Sequence, residues 1–267
     1  MGYGDLAEKS LEFANRHPLL FSHPSYYYGS AGVGLTNLFL YLKTRKDKYL
    51  SESLRIAEAL LSSAREDDRG LRWEYDGGTY VGLGYGQSGI ALFFLRLSQI
   101  TGDKRFLNAG KRALEYDLST GEELEGGIIS YKETPDSTTF EPYVEVGTAG
   151  IMKVALRYGL DVDNLVPDVA RKYAVFPGLI FGLSGLLDTL VDLSIYKGES
   201  EDLAYLPLSG IMSLFPIDVD GKLAFPGEGL FRVSCDYATG VAGIMRTFYR
   251  LMHRDRADFM LDEVENE

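Results

Sequence analysis

Apolar positions along this chain fall into two kinds of run. In roughly residues 5–16, 48–65, 104–118 and 164–173 they recur three or four places apart with charges between them, which predicts helices with one wet face. Residues 31–43, 88–100, 149–158, 184–195 and 242–252 are apolar over much more of their circumference, and this predicts helices buried on most sides. The two kinds alternate, so inner helices are expected to pair with outer ones. Turn-forming phrases such as "YDGG", "TGD", "EGG" and "DVDG" connect them, and the runs at 127–132 and 221–225 read as short hairpin arms. No linker or low-complexity tract divides the sequence. A single domain over 1–267 is expected, with the acidic stretch 255–267, ending "DEVENE", as a frayed tail.

Each inner helix follows the same short phrase. "YYYGSAGVGL" at residues 26–35 returns as "GYGQSGIAL" from Gly84, "VEVGTAGIM" from Val144, "IFGLSGLLD" from Ile180 and "YATGVAGIM" from Tyr237. The shared box is G-x-[SA]-G, beginning at Gly29, Gly86, Gly147, Gly182 and Gly240, so the chain is a degenerate repeat. Small residues let a helix begin close to its neighbours, and first-turn N–H groups left exposed there would face whatever lies beyond. Helix pairs of this kind stack as an open solenoid or close on themselves. Five box loops on one side favour closure. The predicted fold class is all-α, an α/α toroid with about five recognisable inner/outer helix pairs.

Composition removes several functions. A net charge of −12 with no basic cluster argues against nucleic acid as a partner. No signal peptide opens the chain and no long uncharged apolar run crosses it, so no membrane partner is expected and the protein reads as cytoplasmic. Cys235 is the only cysteine, which rules out an internal disulfide. Gly84-x-Gly86-x-x-Gly89 fits the dinucleotide fingerprint, but no strand precedes it.

The five boxes in order, with "PYVEVGTAGIMKVALRYG" at 142–159 and "FPGEGLFRVSCDYATGVAGI" at 225–244, resemble the lanthionine synthetase C family. The second phrase is most similar to the cyclase domain of class III lanthipeptide synthetases. This resemblance covers about residues 25–252 and implies an α/α toroid, here with fewer helix pairs than a complete ring. Either the ring is shortened or N-terminal repeats and an upstream kinase are missing. It also implies a reaction, the Michael addition of a peptide cysteine thiol to dehydroalanine or dehydrobutyrine, which closes a lanthionine, methyllanthionine or labionin ring. The implied partners are a dehydrated precursor peptide and upstream lyase or kinase domains.

Zinc-dependent members of that family carry Cys, or Cys-His, just before a box. Here those positions hold Tyr27-Tyr28, Gly84-Tyr85, Glu145-Val146, Ile180-Phe181 and Ala238-Thr239, and the histidines, His17, His23 and His253, lie far from any box in sequence. No metal or other cofactor is therefore expected. Without zinc, side chains must ionise the thiol, steady the enolate and return a proton. The catalytic candidates are Arg232 for the thiolate or enolate charge, Asp236 to orient it, and Glu145, Tyr28 and Tyr85 for protons. Glu228, Tyr27, Tyr237 and Gln87 are candidate substrate contacts.

Plainer readings exist for each. The tyrosines can pack loops, Glu145 can cap a helix, and Arg232 and Asp236 at i, i+4 can form a salt bridge. Cys235 reads better as a small buried residue than as a nucleophile, and His253 as a helix end. Two other functions stay open: a non-catalytic peptide-binding scaffold, and an α/α-toroid carbohydrate-active enzyme working through carboxylate pairs.

Overall fold

The computed structural model of the chain describes residues 3–198, 201–258 and 261–262. It divides into two compact units, the first formed by residues 1–120, 134–136 and 257–267 and the second by 121–133 and 137–256.

In the first unit the elements are α1 (Tyr3–Arg16), α2 (Ser30–Thr44), α3 (Asp47–Ser63), the hairpin β1 (Arg65–Asp67) and β2 (Gly70–Arg72), α4 (Gln87–Thr101) and α5 (Lys104–Ser119). Helix α4 is buried along nearly its whole length, as its unbroken apolar sequence requires, and packs against α2 and α5. The "TGD" turn that ends it works as its residues dictate. Gly102 takes the left-handed conformation that closes α4, and the Asp103 carboxylate accepts from Arg105 N at 2.8 Å to open α5. One charge lies inside this apolar helix. The Arg96 guanidinium, fully buried, meets Asp262 at 2.6 Å and the Leu261 carbonyl at 2.8 Å. The predicted frayed tail is thus corrected at Asp262, which is buried because it neutralises Arg96; residues 263–267 lie outside those described.

The second unit contains β3 (Glu122–Leu124), β4 (Ile128–Lys132) and β5 (Phe140–Glu141) in one antiparallel sheet, then α6 (Thr148–Arg157), α7 (Val166–Val169), α8 (Leu183–Lys197), α9 (Tyr205–Leu214), the hairpin β6 (Ile217–Val219) and β7 (Lys222–Ala224), and α10 (Val241–His253). Helix α8 is its centre and packs against α6, α9 and α10. Three predicted features differ. The amphipathic run 164–173 makes only the single turn of α7, and the Asp168 carboxylate turns inward to accept from Ser130 Oγ at 2.8 Å and from Thr148 Oγ1 and Arg171. Helix α10 buries one stripe, Gly243, Ile244, Thr247 and Arg250, and leaves Met245, Tyr249 and Met252 exposed. Helix α9 had no counterpart in the predicted pattern because its apolar residues show no one-sided period.

Inner-helix charges of the second unit converge. Lys153 Nζ lies 2.5 Å from Asp188 and 2.9 Å from Asp192; Arg157 Nη1 lies 2.8 Å from Asp192; Arg250 reaches Asp188 at 2.7 Å and Asp192 at 2.6 Å. All five side chains are buried, and Lys153 and Arg157 come from α6, the aspartates from α8 and Arg250 from α10. Desolvation pushes both carboxyls up, but the surrounding cations outweigh it and hold Asp188 below and Asp192 well below the usual carboxylate range. A lowered carboxyl gives stability that is present above its unfolded value and lost as pH falls through the folded one, so this cluster fails only in acid. Removing one charge leaves the others buried without balance. Asp192→Asn is therefore expected to cost about 3–5 kcal/mol in urea unfolding at neutral pH.

Candidate functional site

Each box is a place where the chain folds back on itself. The first N–H groups of an inner helix are donated to carbonyls seven residues earlier: Ser30 to His23 at 2.8 Å, Ala149 to Pro142 at 3.1 Å, Leu183 to Phe176 at 2.9 Å and Val241 to Ser234 at 2.8 Å. This return brings backbone against the box glycines. A Cβ on Gly29, Gly147, Gly182 or Gly240 would collide with the carbonyl of His23, Glu141, Phe176 or Ser234, and one on Gly32, Gly89, Gly185 or Gly243 with that of Tyr26, Leu83, Leu179 or Tyr237. The glycines are required by backbone contact. It follows that these first-turn N–H groups are not left to face a ligand, which corrects the expectation drawn from the box alone.

Neighbouring boxes are laced together by backbone. In the first unit Tyr27 N donates to Gly84 O at 3.0 Å, joining boxes one and two. In the second, Glu145 N donates to Ile180 O at 3.1 Å and Ile180 N to Ala238 O at 2.9 Å, joining boxes three, four and five. The side chains just before each box are therefore grouped, unit by unit.

In the first unit they are aromatic. Exposed Tyr28 stacks on half-buried Tyr85 with centroids 5.6 Å apart, and Tyr27 meets the same ring edge-on at 6.3 Å. Tyr80 lies 6.3 Å from Tyr85 and stacks on Tyr75 at 4.6 Å, and Tyr75 OH donates to the Tyr85 carbonyl at 2.8 Å. The predicted Tyr27, Tyr28 and Tyr85 do come together. Gln87 does not join them. It is buried, its Oε1 accepts from Trp73 N at 3.0 Å and its Nε2 donates to Tyr80 O at 2.8 Å, so its amide braces the loop.

The second unit holds the other candidates. Glu145 is half-buried before box three. Arg232, Asp236 and Tyr237 lie in the loop before box five, with Glu228 exposed on a single 3-10 turn, Glu228–Leu230. Arg232 and Asp236 are not paired. The Asp236 carboxylate accepts from Thr239 N at 2.7 Å, Gly240 N at 3.2 Å and Ser234 Oγ, so it holds the loop at the start of α10. Partial burial raises its carboxyl and these hydrogen bonds more than compensate, leaving it below the usual range. Among the described residues the Arg232 guanidinium has no hydrogen bond or ion pair, and it is exposed. Cys235, expected to be buried, is exposed too.

The side chains before the boxes do not suit zinc, since none is a thiol or imidazole. Among the described residues no three His, Cys, Asp or Glu side chains converge as a metal would need.

One group escaped the sequence reading. Asp117, on α5, is fully buried; its Oδ2 accepts from Gly82 N at 3.0 Å, Ser88 N at 2.7 Å and Ser88 Oγ at 2.6 Å, which ties the second box to the outer helix. Its Oδ1 has no hydrogen-bond partner among the described residues. The only sequence signal is an acid on the apolar face of an amphipathic helix.

The model of the lanthionine synthetase C-like protein family matches residues 5–164. This chain belongs to that family. A probable SapB synthase of Streptomyces coelicolor is 29% identical over 254 residues, which is 92% of this chain and 27% of the synthase. The chain thus spans about a quarter of that relative. A nisin cyclase structure is similar with a TM-score of 0.57 at 16% identity, over 98% of this chain and 74% of the cyclase. That likeness shows the fold class, the α/α toroid of the family. Among the described residues no helix is long and apolar enough to cross a membrane.

Burial drives the Asp117 carboxyl up to about 7 against the pull of its hydrogen bonds from Ser88 and Gly82. A carboxyl raised on folding favours the native state below its unfolded value, and that advantage is lost as pH climbs toward 7. Between pH 5 and pH 8 the parent should lose on the order of 2 kcal/mol through this group. Asp117→Asn should flatten that slope in chemical denaturation at the two pH values.

Proposed function

We propose that this chain is a lanthipeptide cyclase of the class III kind, which adds peptide cysteine thiols to dehydroalanine or dehydrobutyrine without zinc. Family membership carries the reading, supported by the resemblance to a probable SapB synthase over nearly all of this chain. The absence of Cys and His at the positions before the boxes supports the zinc-free route. The Michael acceptor has to exist before the ring can close. A dehydrating activity of the kinase and lyase type, on the same polypeptide or another, must supply the peptide. A reducing compartment, the cytoplasm, keeps its thiols free.

In the reaction the thiol sulfur bonds to the β-carbon of the acceptor, the alkene electrons move onto the carbonyl oxygen, and a proton reaches the α-carbon. Charge therefore develops on sulfur and then on the enolate oxygen. Arg232 is permanently cationic, exposed and without a protein partner among the described residues, so its guanidinium is available to that charge. Asp236 acts through the loop that carries Arg232, while the phenols of Tyr28 and Tyr85 donate to an enolate. Glu145 and the two tyrosines are the candidates for handling protons. Tyr27, Tyr237 and Glu228 contact the peptide, and one domain over the whole chain completes the reading.

Because Arg232 makes no contact that folding needs, Arg232→Ala should melt like the parent. It should also slow ring closure on a dehydrated cysteine-containing peptide by about 100-fold, the scale of losing one donor to the developing charge. Mass spectrometry after thiol alkylation counts closed rings. A parental rate in the variant removes Arg232 from the site, and a parent protein that binds the peptide but never closes it favours the scaffold function.

A further inference from the structure

The residue types assigned so far leave one step poorly served. A phenol holds its proton at neutral pH and a guanidinium never gives one up, so neither accepts a proton from a thiol, and an ordinary carboxylate is too weak a base. Imidazole is the side chain matched to the task.

One histidine is built into the tyrosine cluster of the first unit. His23 lies within the return loop of box one, where its carbonyl accepts from Ser30 N at 2.8 Å and Ser30 Oγ at 3.2 Å, so its backbone is fixed. Its ring meets Tyr75 edge-on at 5.1 Å, and its Nδ1 is 3.6 Å from Asp76 Oδ2. Asp76 is fixed as well. Tyr75 and Gly78 exchange backbone hydrogen bonds at 3.1 and 3.0 Å, with Asp76 at φ 49° and Gly77 at φ 80°, a tight turn with both central residues left-handed. The turn is pinned at Tyr75, whose ring stacks on Tyr80 and whose hydroxyl holds the Tyr85 carbonyl. Turn chemistry accounts for an Asp at this position but not for a carboxylate aimed at an imidazole from a distant part of the chain.

Tyr75 and Asp76, the two residues that the His23 ring adjoins, line a space of suitable size. A cleft of about 720 Å³ is lined by Tyr75, Asp76, Thr79, Tyr80, Glu74 and Thr134, among others. That lies within the range of small-molecule and side-chain pockets, roughly 300–1,000 Å³. His23 touches two of its walls, Tyr75 and Asp76, and is itself half exposed. At 3.6 Å the approach of Asp76 to Nδ1 is a charge contact and not a hydrogen bond; a negative carboxylate on the Nδ1 side favours the proton on that nitrogen, which leaves Nε2 to accept another.

We propose that His23, oriented by Asp76 at the edge of this tyrosine-lined cleft, is the proton-transfer residue of ring closure. The inference rests on the cyclase reading and names its base. The cysteine S–H bond breaks as its proton passes to His23 Nε2. The sulfur then bonds to the acceptor β-carbon, the alkene pair becomes an enolate, and the imidazolium returns the proton to the α-carbon. Atoms balance as the addition of S–H across the double bond, with no oxidant or metal required.

The test uses the full chain and a synthetic peptide carrying one dehydroalanine and one cysteine. His23→Gln keeps the backbone that clamps box one, and Asp76→Asn keeps a residue at home in a left-handed turn, so both variants should melt like the parent. His23→Gln should close rings about 100-fold more slowly at pH 7, and its rate should climb with pH as the free thiol ionises unaided, where the parent levels off. Asp76→Asn should fall about 10-fold, since it removes orientation but not the base. Affinity for the same peptide with Ser and Ala at the reacting positions should not change in either variant. A His23→Gln protein that keeps the parental rate and pH profile overturns the proposal, as does one that loses affinity in step with rate at an unchanged profile. If His23→Gln does not fold, a parental rate and profile in Asp76→Asn overturns it instead. A parent that binds the peptide and closes nothing sinks the cyclase reading itself, a result separable from the others.

Discussion

Everything near the boxes depends on one backbone contact. At four of the five boxes the segment before the inner helix doubles back so that the helix N-terminal amides bond to its carbonyls, as Ser30 does to His23 and Leu183 to Phe176, while at box two the Ser88 amide bonds to the Asp117 carboxylate. Two strands of backbone can come this close only if the intervening Cβ is missing, and this is why glycine stands at both ends of G-x-[SA]-G. The same contact decides where chemistry can go. Amides that would otherwise form an anion site are used internally. What remains for chemistry is the side chains before the boxes, and in the first unit those are the phenols of Tyr27, Tyr28 and Tyr85.

Burial of charge supplies a second constraint. In the second unit two aspartates of α8 sit among Lys153, Arg157 and Arg250 from α6 and α10, and in the first unit Arg96 meets Asp262. Such groups add little net stability compared with well-packed apolar side chains, because each loses its hydration on burial. They are unforgiving of misalignment, however. A helix displaced by one turn would strand a cation in an apolar interior, so the cluster sets the register of three helices that leucine packing alone would tolerate in several.

Helix periodicity made most of the fold legible. The five inner helices begin within a residue or two of the predicted positions, since the box announces each start. What periodicity could not reveal is where a helix stops for a reason outside itself. The run after Leu165 breaks off because Asp168 is wanted by Ser130 and Thr148, which are distant in sequence. The candidate site was half legible. Residues beside the boxes were found because the repeat marks them, and Tyr27, Tyr28 and Tyr85 do cluster. Gln87 sits at an equally marked position yet serves Trp73 and Tyr80, because spacing cannot say which way an amide turns. The spacing of Arg232 and Asp236 suggested a helical pair, but the segment is not helical there, and Asp236 is held by Thr239 and Gly240 instead. The nearness of His23 to Asp76 needed the fold, for the two belong to different loops.

The boxes are also not equivalent, and the differences follow from which acceptor completes them. At box three Asp168 engages through both oxygens, reaching Ser130 and Thr148 on one and Arg171 on the other. Box two is tied by Asp117, which has no cation and one oxygen without a partner. A carboxylate in that position is satisfied by its donors only when charged, while its burial favours the neutral form, so the loop carrying Tyr85 rests on a group balanced between two protonation states. The aromatic cluster of the first unit therefore stands on the least settled of these anchors. Of the two boxes anchored by a buried carboxylate in this way, box two is the one whose anchor changes charge near neutral pH.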